Sequence, residues 1–150
     1  MTYQVVKRYG HQEGWSCTFR QWRATHSHCK YIHGYPLAFE IAFECETLDT
    51  RNWCLDFGGL KPLKSWLQSI FDHKLLVAED DPEIQSFKAM RIQGIADIVI
   101  LPDVGCEKFS ELVYYEADRI LQEMGEKPRV RVKSVRVSEH EGNSAIYTRD

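Results

Sequence analysis

Arg129-Val130-Arg131-Val132-Lys133-Ser134-Val135-Arg136-Val137-Ser138 alternates apolar and polar residues almost without a break. Successive side chains of a strand point to opposite faces, so this stretch reads as a half-buried strand with its valines inward. One offset near Ser134 predicts a β-bulge. Leu37 to Glu46 (Leu-Ala-Phe-Glu-Ile-Ala-Phe-Glu-Cys-Glu) is a second strong strand, and Trp15 to Thr25, aromatic and loosely alternating, is a third. The latter two predict an antiparallel hairpin. Ser144 to Thr148, after the turn residues Glu141-Gly142-Asn143, predicts another.

Between the two pairs the period changes to that of a helix. Leu60, Leu63, Leu67 and Ile70 mark one helix over Leu60 to Phe71, with Gly58-Gly59 at its entrance and Pro62 in its first turn. Phe109, Leu112, Val113, Ile120 and Leu121 mark a second over Glu107 to Glu123, and Gly125 supplies a stop. The order β-β-α-α-β-β predicts an α+β domain over residues 1–150, with helices on one face of an antiparallel sheet. The stretch before Trp15 fits an extra strand or a loose arm. Ser86 to Leu101, with Ile95-Ala-Asp-Ile-Val-Ile-Leu101, is too apolar for a free loop and fits an extra strand or a subunit contact.

The 150 residues are 43% hydrophobic and 27% charged, the balance of a soluble globular chain. A net charge of -3 gives no reason to expect nucleic acid or an anionic membrane as partner. The N-terminus has no signal layout and no apolar run is long enough to span a bilayer, so a cytoplasmic location is expected. Cys17, Cys29, Cys45, Cys54 and Cys106 form no CxxC pair, which argues against disulfides and a zinc finger. Packing is the expectation for Cys17, Cys45, Cys54 and Cys106.

Chemistry concentrates in Ala24-Thr-His26-Ser-His28-Cys29-Lys-Tyr-Ile-His33-Gly-Tyr35. On a strand, His26 and His28 would point to one face, and His33 could return beside them across the hairpin. Three imidazoles with an open fourth position suit a catalytic zinc, and a thiol among them can become a thiolate. The alternative is that these histidines serve turns and surface hydrogen bonds. Asp56 before Gly58-Gly59 reads as a helix start. Asp72-His73 after the first helix pairs a carboxylate with an imidazole, as a proton-transfer group requires, or simply ends the helix.

In order, Ala24-Thr25-His26, Cys29-(x3)-His33-Gly34-Tyr35, Asp56-Phe57-Gly58-Gly59-Leu60-Lys61, Asp72-His73, Glu107 and Glu139 resemble the 6-pyruvoyltetrahydropterin synthase and 6-carboxytetrahydropterin synthase family. The resemblance runs from about Thr18 to Tyr147, and the short Cys29–His33 gap is similar to the carboxy-synthase branch. It implies a tunnelling fold, a four-stranded antiparallel sheet with two helices on one face. It implies Zn2+ on His26 and His33, Cys29 as the base that deprotonates the substrate side chain, and Asp72 with His73 assisting proton transfer. Glu139 is implied to anchor the pterin ring, with Glu107 as a further substrate-binding carboxylate. The implied reaction converts 7,8-dihydroneopterin triphosphate to 6-carboxy-5,6,7,8-tetrahydropterin, acetaldehyde and triphosphate, toward 7-deazaguanine (queuosine-type) nucleosides. A homo-oligomer, a hexamer by the same likeness, is implied.

One departure stands out. The family's His-Gly-His is His33-Gly34-Tyr35 here, and a phenol of pKa about 10 is a poor zinc ligand. The expected replacement is His28, giving a His26/His28/His33 set; ligation by Tyr35 and a weakened or absent site are the alternatives. Arg20, Arg23, Lys30 and Lys61 are unranked candidates for the triphosphate. Competing functions are a pyruvoyl-forming or dihydroneopterin-cleaving enzyme, and a non-catalytic pterin- or purine-binding protein.

Overall fold

The valine alternation forms the strand it predicts. In the computed structural model, which describes residues 1–149, Val130–His140 is continuous and buries Val130, Val132, Val135 and Val137. Four valines with a three-residue step in the middle can share one face only if a residue is looped out. The register across from this strand does slip there, from Ala42 opposite Ser134 to Phe43 opposite Val132, leaving Lys133 as the extra residue.

In chain order the strands are β1 (Tyr3–Tyr9), β2 (Ser16–Phe19), β3 (His33–Pro36), β4 (Ala38–Cys45), β5 (Lys74–Ala78), β6 (Ile98–Leu101), β7 (Val130–His140) and β8 (Asn143–Thr148). The helices are α1 (Lys61–Phe71), α2 (Ile84–Ile92) and α3 (Cys106–Glu123). The principal sheet is antiparallel and four-stranded, in the order β1-β4-β7-β8. With α1 and α3 between its second and third strands, this is the expected β-β-α-α-β-β order. Asp56 starts the first helical stretch as expected, its Oδ1 accepting the Gly58 N–H at 2.8 Å. Gly125 ends α3 in the left-handed region, at φ 74°.

The first strand of that order is a different one from the expectation. Strand β4 pairs with β1, Tyr3 opposite Cys45 through Tyr9 opposite Phe39, so the N-terminal stretch is neither extra nor loose. The expected Trp15–Thr25 strand is only Ser16–Phe19, and its hairpin partner is β3, with Phe19 opposite His33. The physical reason lies in burial. Phe39, Ile41, Phe43 and Cys45 are wholly buried, which suits a central strand flanked on both sides, and the half-wet β1 serves as the edge.

The short hairpin belongs to a second sheet, ordered β3-β2-β5-β6, in which β2, β5 and β6 run parallel. The awkward segment Ser86 to Leu101 thus contains most of α2 and all of β6, the return half of a β5-α2-β6 crossover. Leu75, Leu76, Val77 and Ala78 are all buried, as expected of a parallel strand covered on both faces. Because β2, β5 and β6 are parallel, the chain leaves all three at one edge, where α/β sheets place their ligand crevices. Four phenylalanines join the two sheets: Phe39 to Phe71 at 4.7 Å, Phe71 to Phe109 at 5.3 Å and Phe109 to Phe19 at 5.1 Å between ring centroids.

Candidate active site

The residues between β2 and β3 form a closed loop. At its neck the Gln21 N–H donates to the Cys29 carbonyl at 2.8 Å, and two turns are nested inside, Ala24 N–H to Gln21 O and Ser27 N–H to Ala24 O, each at 3.0 Å. Ser27 Oγ accepts the Cys29 N–H at 3.1 Å and opens a single 3-10 turn over His28–Lys30. His26 and His28 are therefore on turns rather than on a strand, so the shared-face argument does not apply to them. Both are exposed, whereas Cys29 is half-buried.

His33 begins β3, its ring 5.9 Å from that of Phe19. Its Nδ1 lies 2.8 Å from the Tyr31 carbonyl, so Nδ1–H donates there and Nε2 is the ring atom left for another partner. A ring fixed in this way is prepared to bind a metal or accept a proton.

A cavity of about 500 Å³ opens where β2 ends and α3 begins. Its lining brings together Cys29, His33, Glu107 and Glu139, four residues singled out from distant parts of the sequence. Phe19 forms an apolar wall, and Gly142, Asn143, Ser144 and Ala145 close the side at the β7–β8 turn. Glu107 sits in the first turn of α3, where a carboxylate suits the helix dipole. A planar heterocycle with N–H groups would find two carboxylate acceptors and an aromatic face in this cavity.

Asp72 and His73 do form a pair, His73 Nδ1 lying 2.7 Å from Asp72 Oδ1. His73 adopts φ 59° after α1, and its N–H donates to the Ser16 carbonyl at 2.7 Å. The imidazole lines another cavity, of about 470 Å³, with Thr18, Tyr35 and Asp97 among its walls. Neither Asp72 nor His73 lines the Cys29 cavity.

The donor set fits zinc only in part. His33 is oriented as a ligand, but no group of three His, Cys, Asp or Glu side chains among the described residues is placed to share one ion. Tyr35 stands beside His33, ring centroids 5.5 Å apart. Burial raises its phenol above the ordinary value, and the nearby Glu139, Cys29 and Cys106 raise it further, the opposite of what phenolate ligation needs.

The sequence reading missed Gln21, Cys106 and, at the start of β8, Asn143 and Ser144. Cys106 is buried, as expected, yet it also lines the cavity. Burial pushes its thiol up to about 12, assisted by Glu139 and Glu107 and by a hydrogen bond to Glu139. It is therefore a neutral thiol next to the carboxylate expected to hold the substrate. Its place immediately before Glu107 was the available signal. Of the four cations considered for a triphosphate, Arg20 and Arg23 are engaged elsewhere, with Asp81 and Asp80.

The sequence model of the family described as 6-pyruvoyl tetrahydropterin synthase matches residues 10–150. The chain belongs to that family. Among curated relatives of this pterin synthase family member are the 6-carboxy-5,6,7,8-tetrahydropterin synthases of Rickettsia conorii and Rickettsia typhi. Each is 37% identical over 57 residues, a stretch covering 37% of this chain and 41% of the relative. The chain thus matches about two fifths of those relatives' length. Among solved structures, an uncharacterized protein from Wolinella succinogenes aligns with a TM-score of 0.83 and 18% identity, covering 100% of this chain and 99% of the other. The 6-pyruvoyl tetrahydropterin synthase of Plasmodium vivax aligns with a TM-score of 0.73 and 14% identity over the same shares. At such identities these likenesses establish the fold alone, and the expected fold is theirs. No helix among the described residues is long and apolar enough to cross a membrane.

Proposed function

We propose that the protein is a cytoplasmic 6-carboxytetrahydropterin synthase, a lyase converting 7,8-dihydroneopterin triphosphate to 6-carboxy-5,6,7,8-tetrahydropterin, acetaldehyde and triphosphate on the way to 7-deazaguanine nucleosides. The observation that carries this reading is the meeting of Cys29, His33, Glu107 and Glu139 in one cavity. Glu139 and Glu107 accept the N–H groups of the aminopyrimidine, with the Cys106 thiol donating to Glu139 from behind. That contact would hold the pterin side chain toward Cys29, whose thiolate removes a proton. The Asp72–His73 pair carries protons at the other end of the reaction, Asp72 orienting the imidazole through its hydrogen bond.

In a single chain that pair opens on a separate cavity from Cys29. The proposal therefore includes a homo-oligomer, with a hexamer expected, in which the His73 of one copy serves the Cys29 cavity of another. Zinc on His26, His28 and His33 belongs to the proposal too, and would supply Lewis-acid stabilisation of charge on substrate oxygen. Holding it requires the turns that carry His26 and His28 to close on His33.

The test is turnover of dihydroneopterin triphosphate with acetaldehyde measured directly; a pyruvoyl product, or no turnover by metal-loaded protein, would reject the assignment. A second reading, cleavage of unphosphorylated dihydroneopterin, is favoured by one observation. Among the described residues no lysine or arginine lines the Cys29 cavity, and Arg20 and Arg23 are already paired. Comparing kcat/KM for the two substrates separates the readings.

A further inference from the structure

Asp80 and Asp81 come just after β5, beyond Glu79, and their carboxylates turn back toward the residues leaving the neighbouring parallel strand β2. Asp81 receives Arg20 in a two-pronged contact, Nε to Oδ2 at 2.8 Å and Nη2 to Oδ1 at 2.6 Å. Its Oδ1 also accepts the Glu83 N–H at 2.9 Å, which ties the contact to the start of α2. Asp80 receives Arg23 Nη2 at 2.5 Å and the Trp22 indole N–H at 3.3 Å, while the Arg23 guanidinium lies over the Trp22 ring at 4.2 Å. Three of the four residues from Arg20 to Arg23 are thus held by two adjacent aspartates. The fourth, Gln21, lines the cavity and closes the loop neck through its backbone N–H bond to the Cys29 carbonyl.

We propose that Asp80 and Asp81 are positioning residues for Cys29: by clamping Arg20, Trp22 and Arg23 they fix the neck of the loop that presents the thiol to the cavity. The catalytic part of this inference rests on the function proposed above; the positioning part stands without it. Neither aspartate lines the cavity, so neither touches substrate there. A bidentate Arg–carboxylate contact sets direction as well as distance, and here it acts one residue from the Gln21–Cys29 hydrogen bond. The clamp also assigns the β5-α2-β6 unit a role, since that unit carries both aspartates to the edge where the site is built.

Cys29 is the one cysteine not fully buried, so its alkylation by iodoacetamide, followed by peptide mass spectrometry, reports the loop without any need for turnover. In Asp81→Asn and in Asp80→Asn the Cys29 alkylation rate is expected to rise at least about fivefold while the four buried cysteines stay unlabelled. In the same variants kcat is expected to fall about 10- to 100-fold with little change in KM, the mark of a displaced reacting group. Exchange of the exposed pair, Arg23→Asp with Asp80→Arg, should bring the alkylation rate back toward wild type. An unchanged Cys29 rate in both folded variants overturns the proposal, as does equal labelling of all five cysteines in Asp80→Asn, whose partly exposed side chain has no core role. Wild-type protein that turns over neither pterin rejects the function instead, and leaves the alkylation result to decide the clamp.

Discussion

Asp81 is a buried carboxylate, 3% exposed, held by one guanidinium and one backbone amide. Burial alone would raise its pKa, but the Arg20 hydrogen bonds, the Glu83 amide and the Arg20 charge outweigh it and leave the group below the ordinary carboxylate value. A carboxyl lowered in the folded state adds stability that is complete above its unfolded pKa of about 4 and lost as pH falls through the folded value. Replacing Asp81 by Asn should therefore cost stability at pH 7, with the gap from wild type narrowing below about pH 4 in urea titrations. A gap constant from pH 7 to pH 2 would contradict this. Asp81→Ala, which leaves Arg20 unpaired, is expected to cost about 2–4 kcal/mol at neutral pH, near the low end for a broken buried pair because Arg20 keeps some solvent.

Gly34 poses a different constraint at the same scale. A Cβ there would lie 2.4 Å from the Cys17 carbonyl oxygen, on the paired strand β2, where Gly34 stands opposite Thr18. Backbone cannot yield as a side-chain tip can, so Gly34→Ala should lower stability by about 1–3 kcal/mol and disturb His33 on one side and Tyr35 on the other. Thermal melts test the first part. For the metal, zinc content of wild type beside His28→Ala and Tyr35→Phe tests the ligand set, and full zinc in His28→Ala removes His28 from it.

At the scale of elements, the site depends on α3. Its first turn supplies Cys106 and Glu107, and one turn-face below, Phe109 packs edge-on to Phe19 and Phe71. Phe19 in turn contacts the His33 ring. Phe109→Ala removes a wholly buried ring and should cost about 3–5 kcal/mol. It should also loosen His33, read as a shift in that imidazole's NMR resonances under conditions where the variant is still folded. An unmoved His33 signal would show the cavity wall to be independent of the core. The β5-α2-β6 unit is the other element that matters, because its parallel pairing to β2 directs three chain exits to one edge.

For the whole molecule, the separation of Asp72–His73 from the Cys29 cavity carries the oligomer proposal. Cys29→Ala and His73→Ala should each be inactive, and dissociating and reassembling them together should restore a fraction of wild-type activity. Continued inactivity of a properly assembled mixture would place the proton-transfer pair outside the reaction.

What the sequence determined by itself is local. Period-two alternation in Val130–Val137 and Leu37–Glu46, and period-3.6 spacing in Leu63–Ile70 and Phe109–Leu121, reveal the face each segment buries, since side-chain direction follows from the backbone of a few neighbouring residues. The ordered motifs likewise singled out Cys29, His33, Glu107 and Glu139 before they met in space. Tertiary structure alone decided the partners. That β4 pairs with β1, that β2 lies parallel to β5, and that Asp80 and Asp81 take hold of Arg23 and Arg20 are contacts across 30 to 61 residues, as the registers and ion pairs record. Pairing over such distances is selected by competition among whole burial patterns, and no short window of sequence contains that competition.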